Sequence, residues 1–504
     1  MNTDFLKKYS NIIEGTISCI DRIIISGTLE RWGFSHAMQS YLLTNSIRIF
    51  DFPKFAKKYN EQIRNKIETV AKQNDVSIEH IRSPQRFDKE LNIRKIIETR
   101  GMHPGIVHIY TSMEITDAFE PHYDSKTQKT TLKIRTTKCI HYYIYFIDKY
   151  LGLSFLRIPT WLPCRVQFYF NGHNYLAYKL QKNNINFEMQ DNAFTKISDY
   201  QKAQSLSNNL RAEDLHQWLD KIVSTYIPFL EQTSQSYRWT LTQTEYSTDI
   251  IFKDQEDLKL LYDEIILKSI HSVKPQNVAT FFSRSLAANY AQEVGTKYNK
   301  QIQGTRIKHF MGANSIKMYD KASKVLRVET TVNDITEFKV FRDVLTQTGQ
   351  TVKKFASMKK SIYSLHDLTK QCQYSNARYL DFIASFDDNS EGKKNLSKIS
   401  KKETDNNRSY KEFNFFNEND AQILIALTSG EFNINGFRNK HLRKILMNKF
   451  NSAQMSRIIK RLHVFGLIKK VKNTFKYYLT KFGKKVISAG LIVKEFNIIP
   501  SLAK

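Results

Sequence analysis

The chain has few cysteines, no uninterrupted apolar run and a shortage of acidic residues, and each absence narrows what it can be. Cys19, Cys139, Cys164 and Cys372 are its only cysteines, far apart and without a C-x-x-C pair. That argues against a disulfide framework and for a reducing compartment. Cys139, His141, Cys164 and His173 do not have the spacing of a zinc finger or ribbon, so core roles are expected for them. The start, MNTDFLKKYS, lacks the apolar core of a signal peptide. The most apolar stretch, from Tyr142 to Phe170, is interrupted by Asp148, Lys149, Arg157 and Arg165, which excludes a bilayer span. No amphipathic helix has the broad apolar face of a membrane-surface protein. A soluble, cytoplasmic protein is expected.

Against 49 acidic residues stand 77 Lys and Arg, a formal charge of +28 over 504 residues. From Glu391 onward there are 24 basic and 8 acidic residues, so that segment alone contributes +16. Such asymmetry points to a polyanionic partner, and nucleic acid is the simplest one.

The C-terminal segment fits that partner. NENDAQILIALTSG, NGFRNKHLRKILM and NSAQMSRIIKRLHVFGLIKKV read as three helices, followed by a short hairpin and a closing helix in NTFKYYLTKFGKKVI. Asn417 with Asp420 is a capping signal for the first, and Asn451 or Ser452 for the third, which Gly466 ends. Met455, Ile459 and Leu462 follow i, i+4, i+7 spacing and should face a core. Gln454, Ser456, Arg457, Lys460 and Arg461 then lie on the open face, where a recognition helix offers Gln and Arg to base edges. Lys469, Lys470, Lys472 and Lys476 surround the hairpin turn Lys472-Asn473-Thr474, as phosphate contacts would. The expected architecture is a winged helix, and R-I-I-K-R-L-H-V-F-G-L-I-K-K-V…Y-Y-L-T-K-F-G-K-K resembles the MarR type.

Upstream, the stretch 387–411 is polar, charged and poor in large apolar residues, and reads as a flexible basic linker. Before it the pattern is α+β, a mixed or antiparallel sheet with helices. Composition divides it into an aromatic, hairpin-rich α/β region, 1–198, and a second α+β region, 199–386. The winged helix occupies 412–504.

Two blocks in the second region carry candidate chemistry. In QTEYSTDIIF, Glu245 and Asp249 stand four apart on a strand and share a face. In SIKMYDKASKVLRVETTVN, Lys317, Tyr319 and Lys321 alternate on one face with Asp320 opposite, and Arg327 and Glu329 share a face of the next strand. Carboxylates there are suited to a divalent ion that polarises a phosphodiester, with the tyrosine attacking phosphorus. Asp21, in the strand CIDRIIISGTL, would complete a three-carboxylate metal site with Glu245 and Asp249, but nothing in the sequence links them and an ordinary structural role is the expectation.

The order E-x-x-x-D, G-T-x-I, G-x-x-S-I-K-M-Y-D-K and L-R-V-E resembles the rolling-circle replication initiators of plasmids and filamentous phages. The matching positions are Glu245, Asp249, Gly312, Ser315, Tyr319, Asp320, Lys321, Arg327 and Glu329, within 239–333. The strand before them, TRIKHFMG, carries His309 where some members carry a tyrosine. The resemblance implies a tyrosine that nicks one DNA strand and stays bonded to its 5′ phosphate. In that reading Glu245 and Asp249 hold Mg or Mn, and Tyr319, Lys317, Lys321 and Glu329 are catalytic. DNA is the expected partner, and a second copy in a homodimer is a candidate one. The alternative expectation is a MarR-like transcriptional regulator without catalysis, and a third is a transposase-type nuclease using Asp21.

Overall fold

The computed structural model describes residues 3–82, 87–286, 290–301, 304–346, 349–385, 398–405, 408–428, 432, 436–492 and 494. Its architecture is mixed α+β. The chain forms two compact units, each discontinuous in sequence. One is Gly15–Asp249 with Glu329–Gln373, and the other is Met1–Glu14, Ile250–Val328 and Tyr374–Lys504. Consecutive segments were the expectation from composition; long-range strand pairing, which composition does not report, is what groups distant segments.

The first unit is built on strands β1 (Ile13–Leu29), β2 (Ile78–Ile81), β3 (Gly105–Asp124), β4 (Lys129–Asp148), β5 (Gly152–Pro159) and β6 (Val166–Asn171). A small pair, β7 (Phe187–Gln190) and β8 (Ala193–Ile197), and the long β9 (Tyr237–Phe252) follow. Their order across the sheet is β9-β1-β6-β5-β4-β3-β2. β1 through β6 to β3 are antiparallel neighbours, and β2 joins β3 in parallel. Thus HYYIYFIDKYLGLSFLRIP, with aromatic and β-branched runs around a short turn, forms a hairpin, β4 with β5.

Burial on β1 alternates from Asp21 to Leu29, with Asp21, Ile23, Ile25, Gly27 and Leu29 all inward. Asp21 is the one charged member of that row, which makes its surroundings the question to answer. Two glycines let neighbours close on this strand. A Cβ at Gly27 would press within 2.7–2.8 Å of Trp239, Val166 and Tyr237. A Cβ at Gly172 would collide with the Ile20 carbonyl. Gly172 opens the helix Gly172–Lys182, whose cap is Asn171, its side chain accepting from the His173 and Asn174 amides. Its absent side chain lets that helix start directly against β1.

The second unit contains a three-strand meander, β10 (Val294–Gln301), β11 (Gly304–Met311) and β12 (Asn314–Lys321). Gly312, at φ +58°, turns β11 into β12; Ala322 and Ser323, also left-handed, lead into β13 (Val325–Val332). A separate ribbon, β14 (Lys339–Leu345) with β15 (Thr351–Ser357), belongs to the first unit and has no counterpart in the expectations.

After β15 come the helix Leu365–Ala384 and a two-strand ladder, β16 (Glu403–Asp405) with β17 (Arg408–Tyr410). The ladder lies inside the stretch 387–411 expected to be a structureless tether, and Ile399 there is fully buried. Residues 387–397 and 406–407 of that stretch lie outside the described residues. Helices Glu418–Leu427, Asn439–Ile445 and Ser452–Val464 follow, then the hairpin β18 (Ile468–Lys470) with β19 (Tyr477–Leu479) and the helix Lys481–Ile492. Met455, Ile459 and Leu462 are buried in one apolar cluster with Leu424, Phe437, Leu442 and Val486. No helix among the described residues is long and apolar enough to cross a membrane.

The Gly172 contact makes a signed prediction. In a free helix Gly→Ala stabilises, by roughly 1 kcal/mol in the interior. Here the collision with Ile20 dominates, and overpacking of this kind costs about 1–3 kcal/mol. Gly172→Ala is expected to lower the chemical-denaturation midpoint at unchanged m-value. A raised midpoint would mean that the helix does not rest on β1.

Candidate metal centre and basic face

Three strands of the first unit bring Asp21, Glu245 and Glu329 together, from β1, β9 and β13, with one carboxylate oxygen from each within 4.8 Å of the others. Asp21 and Glu329 are buried and Glu245 is half-buried. Among the described residues this is the group of His, Cys, Asp and Glu side chains placed to share one ion. Hard oxygen ligands converging from separate strands fit Mg or Mn.

A polar shell holds Asp21. The Asn192 amide donates to its Oδ1 at 2.8 Å and the Asn171 amide at 3.3 Å. His173 Nδ1 lies 2.9 Å from the same oxygen. The opposite ring nitrogen, Nε2, is 3.3 Å from Asp249 Oδ2 and 3.4 Å from the Ser247 hydroxyl. His173 is fully buried, as is Asp249. A histidine wedged between two carboxylates fixes Asp21's orientation, as outer-shell partners of a metal ligand do. Thr331 adds a 3.4 Å contact from its hydroxyl to Glu329. Near the group, burial pushes the Tyr169 phenol up to about 12; Arg22 opposes the shift, and Glu90, Asp21 and Glu245 reinforce it. That phenol stays protonated at neutral pH.

The pairing of Glu245 with Asp249 is therefore corrected. Four residues along a strand span about 13 Å, too far for two carboxylates to hold one ion, even on the same face. Asp249 instead pairs with His173. The partners of Glu245 come from across the sheet: Asp21, which alternation on one strand left open, and Glu329, expected as a catalytic residue. Asn171, Asn192 and His173 were not recognised as site residues. His173 was expected only in a core role, Asn171 has the ordinary local pattern of a helix cap, and no local signal marks Asn192.

The remaining catalytic candidates lie in the second unit. Lys317, Tyr319 and Lys321 are half-buried and alternate on β12 as expected. Asp320, on the other side of that strand, has its carboxyl pushed up to about 6 by burial, against a backbone hydrogen bond from Ser323. His309 is a core histidine: it meets Thr296 at 2.8 Å, Tyr379 at 3.1 Å and Ser269 at 3.2 Å, and burial lowers its pKa to about 3. The sulphur and imidazole groups behave as core residues too. Cys139, Cys164 and His141 are buried, with the Cys164 thiol bonded to the Pro159 carbonyl and His141 to the Cys139 carbonyl.

In the C-terminal segment the nine proposed DNA contacts divide. Arg461 is committed to the fold. It makes a bidentate pair with Asp420 at 2.8 and 2.9 Å, donates to the Lys411 and Glu412 carbonyls, and lies 3.8 Å from the Phe413 ring centre. Gln454 closes a capping box, accepting from the Asn451 amide at 2.8 Å. Ser456 donates to the Ser452 carbonyl and accepts from Asn439. Lys460 pairs with Asp405 at 2.8 Å while remaining exposed. Helical periodicity gives the face of a residue but not what that face has already engaged.

Arg457, Lys469, Lys470 and Lys472 are exposed, and Lys476 is half-buried. A groove of about 330 Å³ separates the helix Ser452–Val464 from the hairpin, lined by Asn439, Ser456, Lys460, His463, Lys470 and Phe475 among others.

Comparison with known protein families, curated proteins and solved structures gives no match for this chain.

The carboxylate group predicts a metal response. Adding MnCl2 should raise the melting temperature of the protein, with a gain of about 2.7 kcal/mol at one hundred times Kd. Glu329→Gln should remove that response. In chelator the same variant should melt higher than the parent, because one like charge is gone. An equal MnCl2 response in both proteins would place the ion elsewhere.

Proposed function

We propose that this is a DNA-binding protein whose carboxylate centre supports metal-dependent cleavage of a DNA strand, in the manner of a replication initiator or mobile-element protein. The observation that carries the reading is the convergence of Asp21, Glu245 and Glu329 within 4.8 Å. A net charge of +28 supports a polyanionic substrate. A divalent ion bound there supplies Lewis-acid polarisation of a phosphodiester. The chain's part is to hold three oxygens at fixed spacing, with Asn171, Asn192 and His173 orienting Asp21.

In this reading the C-terminal helices and hairpin act as a winged helix that holds a DNA site. Arg457 and the hairpin lysines carry most of its contacts, since Arg461 and Gln454 serve the fold. Tyr319 is the nucleophile the initiator resemblance implies: its phenolic oxygen bonds to phosphorus, the P–O3′ bond breaks, and a 3′ hydroxyl leaves. Lys317 and Lys321 neutralise the phosphate. Water in place of the tyrosine would make the protein a nuclease of the transposase type. A regulator of the MarR kind would bind without cutting.

Supercoiled plasmid carrying the protein's own genomic neighbourhood separates these outcomes. Nicking that requires Mg or Mn and falls at least a hundredfold in Asp21→Asn and Glu329→Gln is expected. A covalent protein–DNA adduct absent from Tyr319→Phe identifies the tyrosine, and nicking without an adduct identifies water. DNA that is bound but stays intact throughout leaves the regulator.

A further inference from the structure

The β14–β15 ribbon has one face with nothing against it. Its register sets Phe341 directly opposite Phe355, Lys339 opposite Ser357, Asp343 opposite Lys353 and Leu345 opposite Thr351. All eight residues are exposed, and these two phenylalanines are 69% and 67% accessible, Leu345 71%. The reverse face is partly covered: Val340 is buried, and Arg342, Val344 and Ala356 are half-buried. Seven-residue strands make an arm of about 23 Å. An isolated two-stranded ribbon is marginal in water, and large exposed aromatics add to its cost, so the exposed pair is the feature to explain.

Charge decides the occupant. Between Lys339 and Ser357 there are four basic residues, Lys339, Arg342, Lys353 and Lys354, and one acidic residue, Asp343, a net of +3. The Arg342 guanidinium is turned onto the Ser357 and Asp343 carbonyls. Lys339, Lys353 and Lys354 have no partner among the described residues. A second copy of the same ribbon would bring like charges together, whereas a polyanion neutralises them. Two accessible aromatic rings among lysines match a strand with its bases unstacked, because a duplex hides the base faces on which phenylalanine stacks.

We infer that the β14–β15 ribbon is a binding arm for single-stranded DNA, with Phe341 and Phe355 as a stacking platform and Lys339 and Lys353, on the same face, as phosphate contacts. This rests on the nucleic-acid part of the proposed function and is independent of cleavage. It supplies what a strand-cutting protein needs beyond a duplex reader, a place to hold the separated strand.

The test uses the full chain, fluorescein-labelled 20-mer oligo(dT) and a 20-base-pair duplex of mixed sequence, read by anisotropy. Phe341→Ala/Phe355→Ala is expected to weaken oligo(dT) binding by roughly ten- to a hundredfold and to leave duplex binding within about twofold. Lys339→Ala/Lys353→Ala should flatten the slope of log K against log salt by about 1.4 for oligo(dT). Both pairs are surface substitutions, and unchanged melting temperature confirms the fold. Unaltered oligo(dT) affinity in the phenylalanine variant, or equal losses on both DNAs, overturns the inference. So does a dimer seen by light scattering that the phenylalanine variant dissolves, which would make the occupant a second copy. Duplex binding that persists and depends on Arg457 while oligo(dT) binding ignores the ribbon defeats the arm and spares the proposed function. Binding to neither DNA defeats both.

Discussion

Carboxylates of like sign repel, and that repulsion grows when burial removes the water that screens them. The fold nevertheless carries Asp21 and Glu329 into its interior and sets Glu245 beside them. Much of the surrounding structure can be understood as meeting that requirement. Gly172 lets a helix begin against β1, which puts His173 at Asp21. Asn171 both caps that helix and donates to Asp21. His173 ties Asp21 to Asp249, so two carboxylates share one buried imidazole. These contacts orient Asp21 within the group.

How the group is assembled explains what the sequence alone revealed of it. The strands themselves were legible: aromatic and β-branched runs mark β4 and β5, and an apolar run marks β1. Turn residues marked the β11–β12–β13 connections, where Gly312, Ala322 and Ser323 take left-handed conformations. The residue types were legible too, since Glu245, Glu329 and Asp21 were all candidates. Their grouping was not, because a carboxylate cluster on a sheet is built across strands. β1 and β9 are held together by pairs such as Ser18–Thr248 and Ser26–Thr242, more than two hundred residues apart. Nothing within a window of the chain reports that neighbourhood. Asp249 shows the converse error, a same-face residue too far along its own strand.

The C-terminal segment shows the same limit at the level of single side chains. Periodicity placed Met455, Ile459 and Leu462 in the core, where they are. It also placed Arg461 and Gln454 on the open face, but the first is spent on Asp420 and the second on the Asn451 cap. What remains exposed is a smaller set, Arg457 with Lys469, Lys470 and Lys472, and Lys470 lines a groove together with exposed Phe475. The β14–β15 ribbon repeats the combination of exposed aromatic and lysine in the other unit. Both features suit the partner proposed above, and neither depends on the carboxylate group.

The central claim is that Asp21, Glu245 and Glu329 form a cation site and not a structural cluster that shares protons. Anomalous diffraction at the manganese edge, from crystals of the full chain soaked in MnCl2, tests it most directly. The account predicts a peak within inner-sphere distance of all three carboxylates, absent from Glu329→Gln crystals treated alike. A map with no peak there, or with manganese bound only at other residues, would contradict it.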